Sequence, residues 1–386
     1  MLKLIFKGAT VITPLNVIEK ATIIIEEGRV RDVYKGSTRD PDAIDVRGYV
    51  IAPGLIDTHV HGIEGDYVYE GFKSLERISK NLLKYGVTAF TPTTMSLPHE
   101  ELLEVCRYTR EFITAQKRGE IEGAKVLGLH LEGPYINVSK RGAQNPKYIR
   151  KPNVKEFLEY YKESGGNISI ITLAPELPGA IDLIREALRY EVTVSIGHTD
   201  ATFEEAKKAI GVGARRATHL YNSMRGVHHR DPGVVIAVLG DNRVYVELIA
   251  DMIHVHPEML KYTIRTVGFK RVILATDTIS ATGMPDGEYE LCGLKITVRN
   301  GVPTIKDGTL AGSTVALDKA LRNVVKEIGI PLKNAIRAAT LNPAITCNKP
   351  YVGTLERLYE GDAIVLTEDL KVVKTIVNGE ILYEKE

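Results

Sequence analysis

The sequence predicts an α/β protein: a (β/α)8 barrel joined to a small β-sandwich built from both ends of the chain. Three observations carry this. Between residues 54 and 348, eight strand-like segments alternate with helical patterns, and such alternation implies a parallel sheet. Metal-competent side chains stand at the ends of five of those segments: His59 and His61, Glu132, His198, His219 and Asp277. Residues 1–53 and 349–386 both read as short β-branched runs, too few in either half to close a core alone.

In chain order, ATVIT, ATIIIEEGRV and YVIAPG supply the first short strands, broken by Gly and Asn. The barrel strands then follow as LIDTHVHG from Leu55, TAFTPTT from Thr88, KVLGLHLEG from Lys125 and ISIITLAPE from Ile168. VTVSIGHT from Val192, ARRATHLYN from Ala214, VYVELIAD from Val244 and RVILATD from Arg271 complete the eight. AIDLIREALRYE places apolar residues at i, i+3, i+4 and i+7, and SLERISKNLLKYG at i, i+3 and i+7, the spacing of one helical face. The last stretch, GDAIVLTEDLKVVKTIVNGEILYEKE, holds Asn378-Gly379 between apolar runs, a strong hairpin signal. Termini of a domain often lie close together, so the two end segments are expected to complete one module.

The length of 386 residues fits a barrel of about 250 plus a smaller module. Fifty basic residues against forty-nine acidic ones leave no net field for nucleic acid or an anionic membrane. Any anionic ligand is therefore held by a few placed groups. Cys106, Cys292 and Cys347 match no paired spacing, which reads as reduced thiols. The N-terminus turns polar within ten residues, unlike a signal peptide or membrane span, and the expected compartment is the cytoplasm.

Strand ends of a (β/α)8 barrel converge on one face, where the active site forms. Side chains alternate along a strand, so His59 and His61 point the same way and can grip one ion. Imidazole and carboxylate together suit zinc or another first-row divalent ion. A lone strand histidine is more often a packed core residue, but six such residues at equivalent ends form a pattern. His130 lies two residues deeper than Glu132 and reads as inner-layer packing or a support behind the ligands. His99 reads as a surface residue at a helix start. His228 and His229 read as loop residues.

PGLIDTHVHG after an N-terminal β-segment resembles the amidohydrolase superfamily. GLHLEGPYIN, RGAQNP, GHTDAT, HLYNSM, ATD and GTLAGST, in that order, resemble its N-acetylglucosamine-6-phosphate deacetylase family, from about residue 5 to 380. The resemblance implies Glu132, His198 and His219 as metal ligands, with Glu132 where many superfamily members use a carbamylated lysine. Some members replace the His-x-His pair and keep one metal; with His59 and His61 present, the expectation is one or two ions, most simply zinc. Asp277 would be the catalytic acid/base. Ala143, Gln144, Asn222, Ser223, Arg230, His254 and the loop Leu310, Ala311, Gly312 would bind the sugar phosphate. Arg230 would reach the ligand of the neighbouring subunit, implying a homodimer. Some members carry histidine in place of Gln144, near the substrate carbonyl; an amide there can donate a hydrogen bond but cannot carry a proton.

The reaction implied is hydrolysis of the acetamido group to glucosamine 6-phosphate and acetate. No feature of the sequence reads the single hydroxyl that separates this substrate from N-acetylgalactosamine 6-phosphate or another N-acyl amino sugar. A non-catalytic scaffold of the same fold is the competing class, and metal analysis separates it from an enzyme.

Overall fold

The structure, a computed structural model, describes residues 3–385. Eight strands run parallel in sequence order: β1 (Leu55–Val60), β2 (Val87–Pro92), β3 (Leu129–Glu132), β4 (Ile168–Leu173), β5 (Thr193–Ile196), β6 (Arg216–Ala217), β7 (Tyr245–Ile249) and β8 (Val272–Ala275). β3 to β8 form one sheet in that order, and β1 pairs with β2 in another. Single parallel bridges link the two sheets at both ends, Thr93 to His130 and Val60 to Thr278. Thr94 N–H to His130 O and Asp277 N–H to His59 O, each 3.0 Å, reinforce them. β1, β2 and β4 are buried on both faces, as strands covered by helices must be.

The helices follow the apolar stripes. Helix Phe72–Leu82 buries Leu75, Ile78 and Leu82; helix Ala180–Arg189 buries Ala180, Leu183, Ile184 and Ala187. Both stripes belong to the same apolar core as the strands. Thr202 and Glu205 form a capping box that starts helix Phe203–Val212 just after His198.

Two strands are shorter than the sequence patterns. KVLGLHLEG splits, Lys125–Val126 pairing with β2 and Leu129–Glu132 with β4. Gly128, between them, has φ +133°, and a Cβ there would lie 2.1 Å from Ser169 Oγ. Only glycine lets the chain change partner at that point. In ARRATHLYN only Arg216 and Ala217 pair as a strand; His219, Tyr221 and Ser223 beyond them have positive φ, so the chain leaves the ladder early. A further element interrupts the alternation after β8. Strands Gly287–Leu291, Leu294–Arg299 and Val302–Thr304 form an antiparallel sheet of their own, whose Leu291, Ile296 and Val298 pack with Ala143, Ile279 and Ala311.

Both chain ends enter one sheet, ordered Glu380–Glu384, Val372–Val377, Ala363–Leu366, Val50–Pro53, Lys3–Ile12, Val17–Glu26, Arg29–Lys35, with Ile44–Asp45 beside Lys3–Ile12. The junction is antiparallel, Ile51 opposite Val365. Asn378 and Gly379 have φ of 50° and 78°, the left-handed pair that a two-residue hairpin demands. Phe6, Val11, Ile23, Ile25, Ile51, Val365 and Ile376 form a core separate from the main one. No helix among the described residues is long and apolar enough to cross a membrane.

Candidate metal centre and active site

His59 lies in β1 and His61 just beyond it; Glu132 closes β3. His198, His219 and Asp277 each stand two residues past the end of β5, β6 and β8. Those three share left-handed backbone, with φ of 47°, 28° and 56°. A non-glycine residue is strained there by about 1–3 kcal/mol. The same departure from the ladder, repeated at three strand ends, brings three side chains to one centre.

Two donor groups result: Glu132, His198 and His219 in one, His59, His61 and Asp277 in the other, the ligand atoms of each within 4.8 Å of one another. Glu132 stands between them. Its Oε1 is 3.1 Å from His219 Nε2 and 3.3 Å from His198 Nε2 and His59 Nε2; its Oε2 is 3.4 Å from His61 Nε2. Asp277 Oδ1 lies 3.1 Å from His61 Nε2 and 3.4 Å from His59 Nε2.

The donor chemistry fits divalent ions. Thr93 O accepts from His61 Nδ1 at 3.0 Å, and Lys140 O accepts from His198 Nδ1 at 2.8 Å. A carbonyl can only accept, so these imidazoles carry their protons on Nδ1 and turn Nε2 inward. Nε2 of His59 then faces Nε2 of His61 at 3.2 Å, and Nε2 of His198 faces that of His219 at 3.1 Å. Two ring nitrogens this close need a cation or a proton between them. The carboxylates sharpen the demand. Burial disfavours charge on His61, yet Asp277 and Glu132 more than offset it and raise the imidazole to about 9. Burial pushes the Asp277 carboxyl up, but His59 and His61 outweigh it and hold the group below the usual range.

A cavity of about 250 Å³ opens over the centre. Ligand pockets commonly run to about 300–1,000 Å³, so this one suits a single sugar ring better than a chain of them. Of the residues expected to bind substrate, Ala143, Gln144, Asn222, Ser223, His254, Leu310 and Gly312 line it. Ala311 is fully buried beside it, packed on Ile279. Arg230 does not line it; it is exposed and donates to His229 Nε2 at 2.7 Å. His254 Nδ1 is 2.6 Å from Asp251 Oδ2, which orients the ring. Gln144 also bonds to the protein on both sides of its amide. Its Oε1 accepts from Ser96 N–H at 2.8 Å and Ser96 Oγ at 2.6 Å, and its Nε2 donates to Glu132 Oε2 at 2.9 Å. One amide hydrogen is therefore spent on Glu132, leaving the other for a substrate carbonyl.

His130 stays below the centre, within 2.7 Å of Thr172 Oγ1 and 3.0 Å of Thr58 O. His99 is half-buried, its Nδ1 2.9 Å from Tyr160 Oη; His228 and His229 are exposed. The sequence reading missed the supports. Asp57 accepts from His59 N–H at 3.2 Å and from Thr276 Oγ at 2.6 Å, and burial lifts its carboxyl to about 7. Glu247 and Arg216 lie fully buried behind His59. Glu247 had a signal, a carboxylate inside the otherwise apolar VELI; Arg216, beside Arg215 in ARRATHLYN, had none.

The amidohydrolase family profile matches residues 50–382. The chain belongs to the amidohydrolase family. Within it, an N-acetylglucosamine-6-phosphate deacetylase of Vibrio furnissii is 36% identical, over 91% of this chain and 87% of its own. An N-acetylgalactosamine-6-phosphate deacetylase of Escherichia coli O157:H7 is 35% identical, over 86% of this chain and 87% of its own. The structure of a mutant N-acetyl-D-glucosamine-6-phosphate deacetylase from Mycobacterium smegmatis, in complex with N-acetyl-D-glucosamine-6-phosphate, superposes with a TM-score of 0.93 at 31% identity, covering 99% of this chain and 100% of that one. This amidohydrolase is a metal-dependent hydrolase.

Proposed function

We propose that this amidohydrolase removes the acetyl group of N-acetylglucosamine 6-phosphate, giving glucosamine 6-phosphate and acetate. The observation that carries it is the pair of donor groups, with Glu132 between them, at the floor of a cavity sized for one sugar. Relatives of that activity match over most of the chain. The eight parallel strands, counted through their two linking bridges, are read as a (β/α)8 barrel over residues 54–348. Residues 1–53 and 349–386 are read as one small β-sandwich domain.

Glu132, His198 and His219 would hold one divalent ion, and His59, His61 and Asp277 a second, zinc being the choice for this mixture of imidazole and carboxylate. Bound ions supply a water acidic near pH 7 and a Lewis acid for the carbonyl. The chain's own residues do the rest. Asp277, an anion beside the histidines, accepts a proton at its carboxylate and returns it to the departing amine nitrogen. Asn222, Ser223 and His254 orient the sugar, and the Leu310–Gly312 loop closes its side. A phosphate far from the scissile bond anchors the ring so that the amide lies over the centre. Arg230, exposed and outside its own cavity, serves the site of a second copy in a homodimer.

The galacto epimer is the second reading, since a relative of that name is 35% identical. Acetate release from both phosphates decides, after chelation and re-addition of single metals. Restoration by zinc on the gluco substrate supports the proposal; faster turnover of the galacto substrate favours the second reading; activity untouched by chelation overturns both.

A further inference from the structure

Arg216 and Glu247 bury opposite charges completely, inside the ring of strands. Desolvating two charges is costly, and an apolar pair of similar volume is often as stable. A purely structural role is therefore a weak explanation, and the hydrogen bonds point elsewhere. Glu247 Oε2 accepts from Arg216 Nε at 3.1 Å and from Arg216 Nη2. Arg216 spends two further donors on Thr58 Oγ1 at 2.6 Å and Thr346 Oγ1 at 3.2 Å. The guanidinium therefore cannot turn without breaking buried bonds, and it holds Glu247 both ionised and oriented. The other oxygen, Oε1, accepts from His219 N–H at 3.2 Å and stands 2.6 Å from His59 Nδ1.

We propose that Glu247, locked by Arg216, is a positioning residue for the second ion: it fixes His59 with the proton on Nδ1 and a bare Nε2 toward His61 and Asp277. His59 differs in this from its neighbours. His61 and His198 give their Nδ1 protons to backbone carbonyls, whereas His59 gives its to a charged oxygen. A carboxylate behind an imidazole raises its basicity as a ligand, and removing such a partner typically weakens metal binding by about 10–100-fold. The contact to His219 N–H also ties the backbone of one donor group to a side chain of the other. The inference rests on the reading that the two groups each hold an ion.

The test titrates zinc into metal-free protein against a competing chelator, for wild type, Glu247→Gln and the charge-neutral pair Arg216→Met with Glu247→Gln. His59→Ala and His198→Ala assign the two affinities to their groups. The expected result is a 10–100-fold weaker second site in both variants, with the Glu132, His198, His219 site unchanged. The single variant strands a buried guanidinium and can fail to fold; the pair removes both charges and keeps the measurement available. An unchanged second site in a folded variant overturns the role of Glu247, as does equal weakening of both sites. A single ion in wild type instead overturns the two-ion reading. A spectrum of ring ¹⁵N resonances in zinc-loaded wild type needs no variant at all: a proton on His59 Nδ1 with zinc-bound Nε2 supports the assignment, and the opposite tautomer ends it.

Discussion

Gln144 spans Ser96 and Glu132, and Ser96 decides which way round its amide sits. The backbone N–H of Ser96 can only donate, so the oxygen of Gln144 must face it, and the nitrogen must face the carboxylate. Gln144 thus steers the carboxylate that stands between the two donor groups. Gln144→Ala should lower zinc affinity by about 10–100-fold and reduce kcat/KM with it. Chelator competition reads the first, and unchanged affinity would return Gln144 to the substrate alone.

Asp277→Asn should keep the ion at Glu132, His198 and His219 and bind substrate, yet lose most turnover. An amide cannot accept the proton, and general acid–base groups contribute about 10²–10⁴-fold. Near-normal kcat removes Asp277 from proton transfer.

His198→Ala and His219→Ala should each lose the ion held with Glu132. His59→Ala should lose only the second ion, with a smaller drop in rate. Metal counted per chain in the purified variants checks all three; a full complement in the first two means the ligand set is wrong.

Zinc uptake should release protons and tighten as the solution becomes more alkaline. In the metal-free protein His61 stays protonated up to about 9, because Asp277 and Glu132 outweigh burial, whereas a ligand imidazole must be neutral. The sign follows: below that value the ion displaces a proton from His61, and affinity climbs by up to about tenfold per pH unit from this group. Above it the contribution of His61 disappears. Calorimetry at pH 7.5 in buffers of different ionisation enthalpy measures the protons released, and no release refutes the assignment.

Arg230→Ala should lower kcat/KM on the phosphorylated sugar by about 10–150-fold, the equivalent of a charge-assisted hydrogen bond of about 1.5–3 kcal/mol. The slow rate on unphosphorylated N-acetylglucosamine should hardly move. Equal losses on both would make Arg230 a structural residue. Mixing Arg230→Ala chains with Asp277→Asn chains should restore some activity if Arg230 acts across the dimer, because one site in each heterodimer then bears neither change.

The ligands were legible because their types are conspicuous and strand alternation says which of them share a face. His59 and His61 need nothing more. The supports were hidden for two physical reasons. Thr93 and Lys140 act through backbone carbonyls, which carry no side-chain signature. Arg216 and Glu247 are thirty-one positions apart and meet only through strand pairing, which periodicity in one sequence does not reveal. The antiparallel insertion after β8 carries its own turn signals at Cys292-Gly293 and Asn300-Gly301, both with positive φ.

The pairing of Ile51 with Val365 has a consequence during synthesis. The edge of Val50–Pro53 waits about 310 residues for its neighbour, roughly 15–60 s at ribosomal rates of about 5–20 residues per second. Throughout that interval the nascent chain offers an open strand edge, the kind of surface that recruits other strands. Shortening the chain before residue 363 would make that exposure permanent, so truncated products should aggregate even where every metal ligand is already in place.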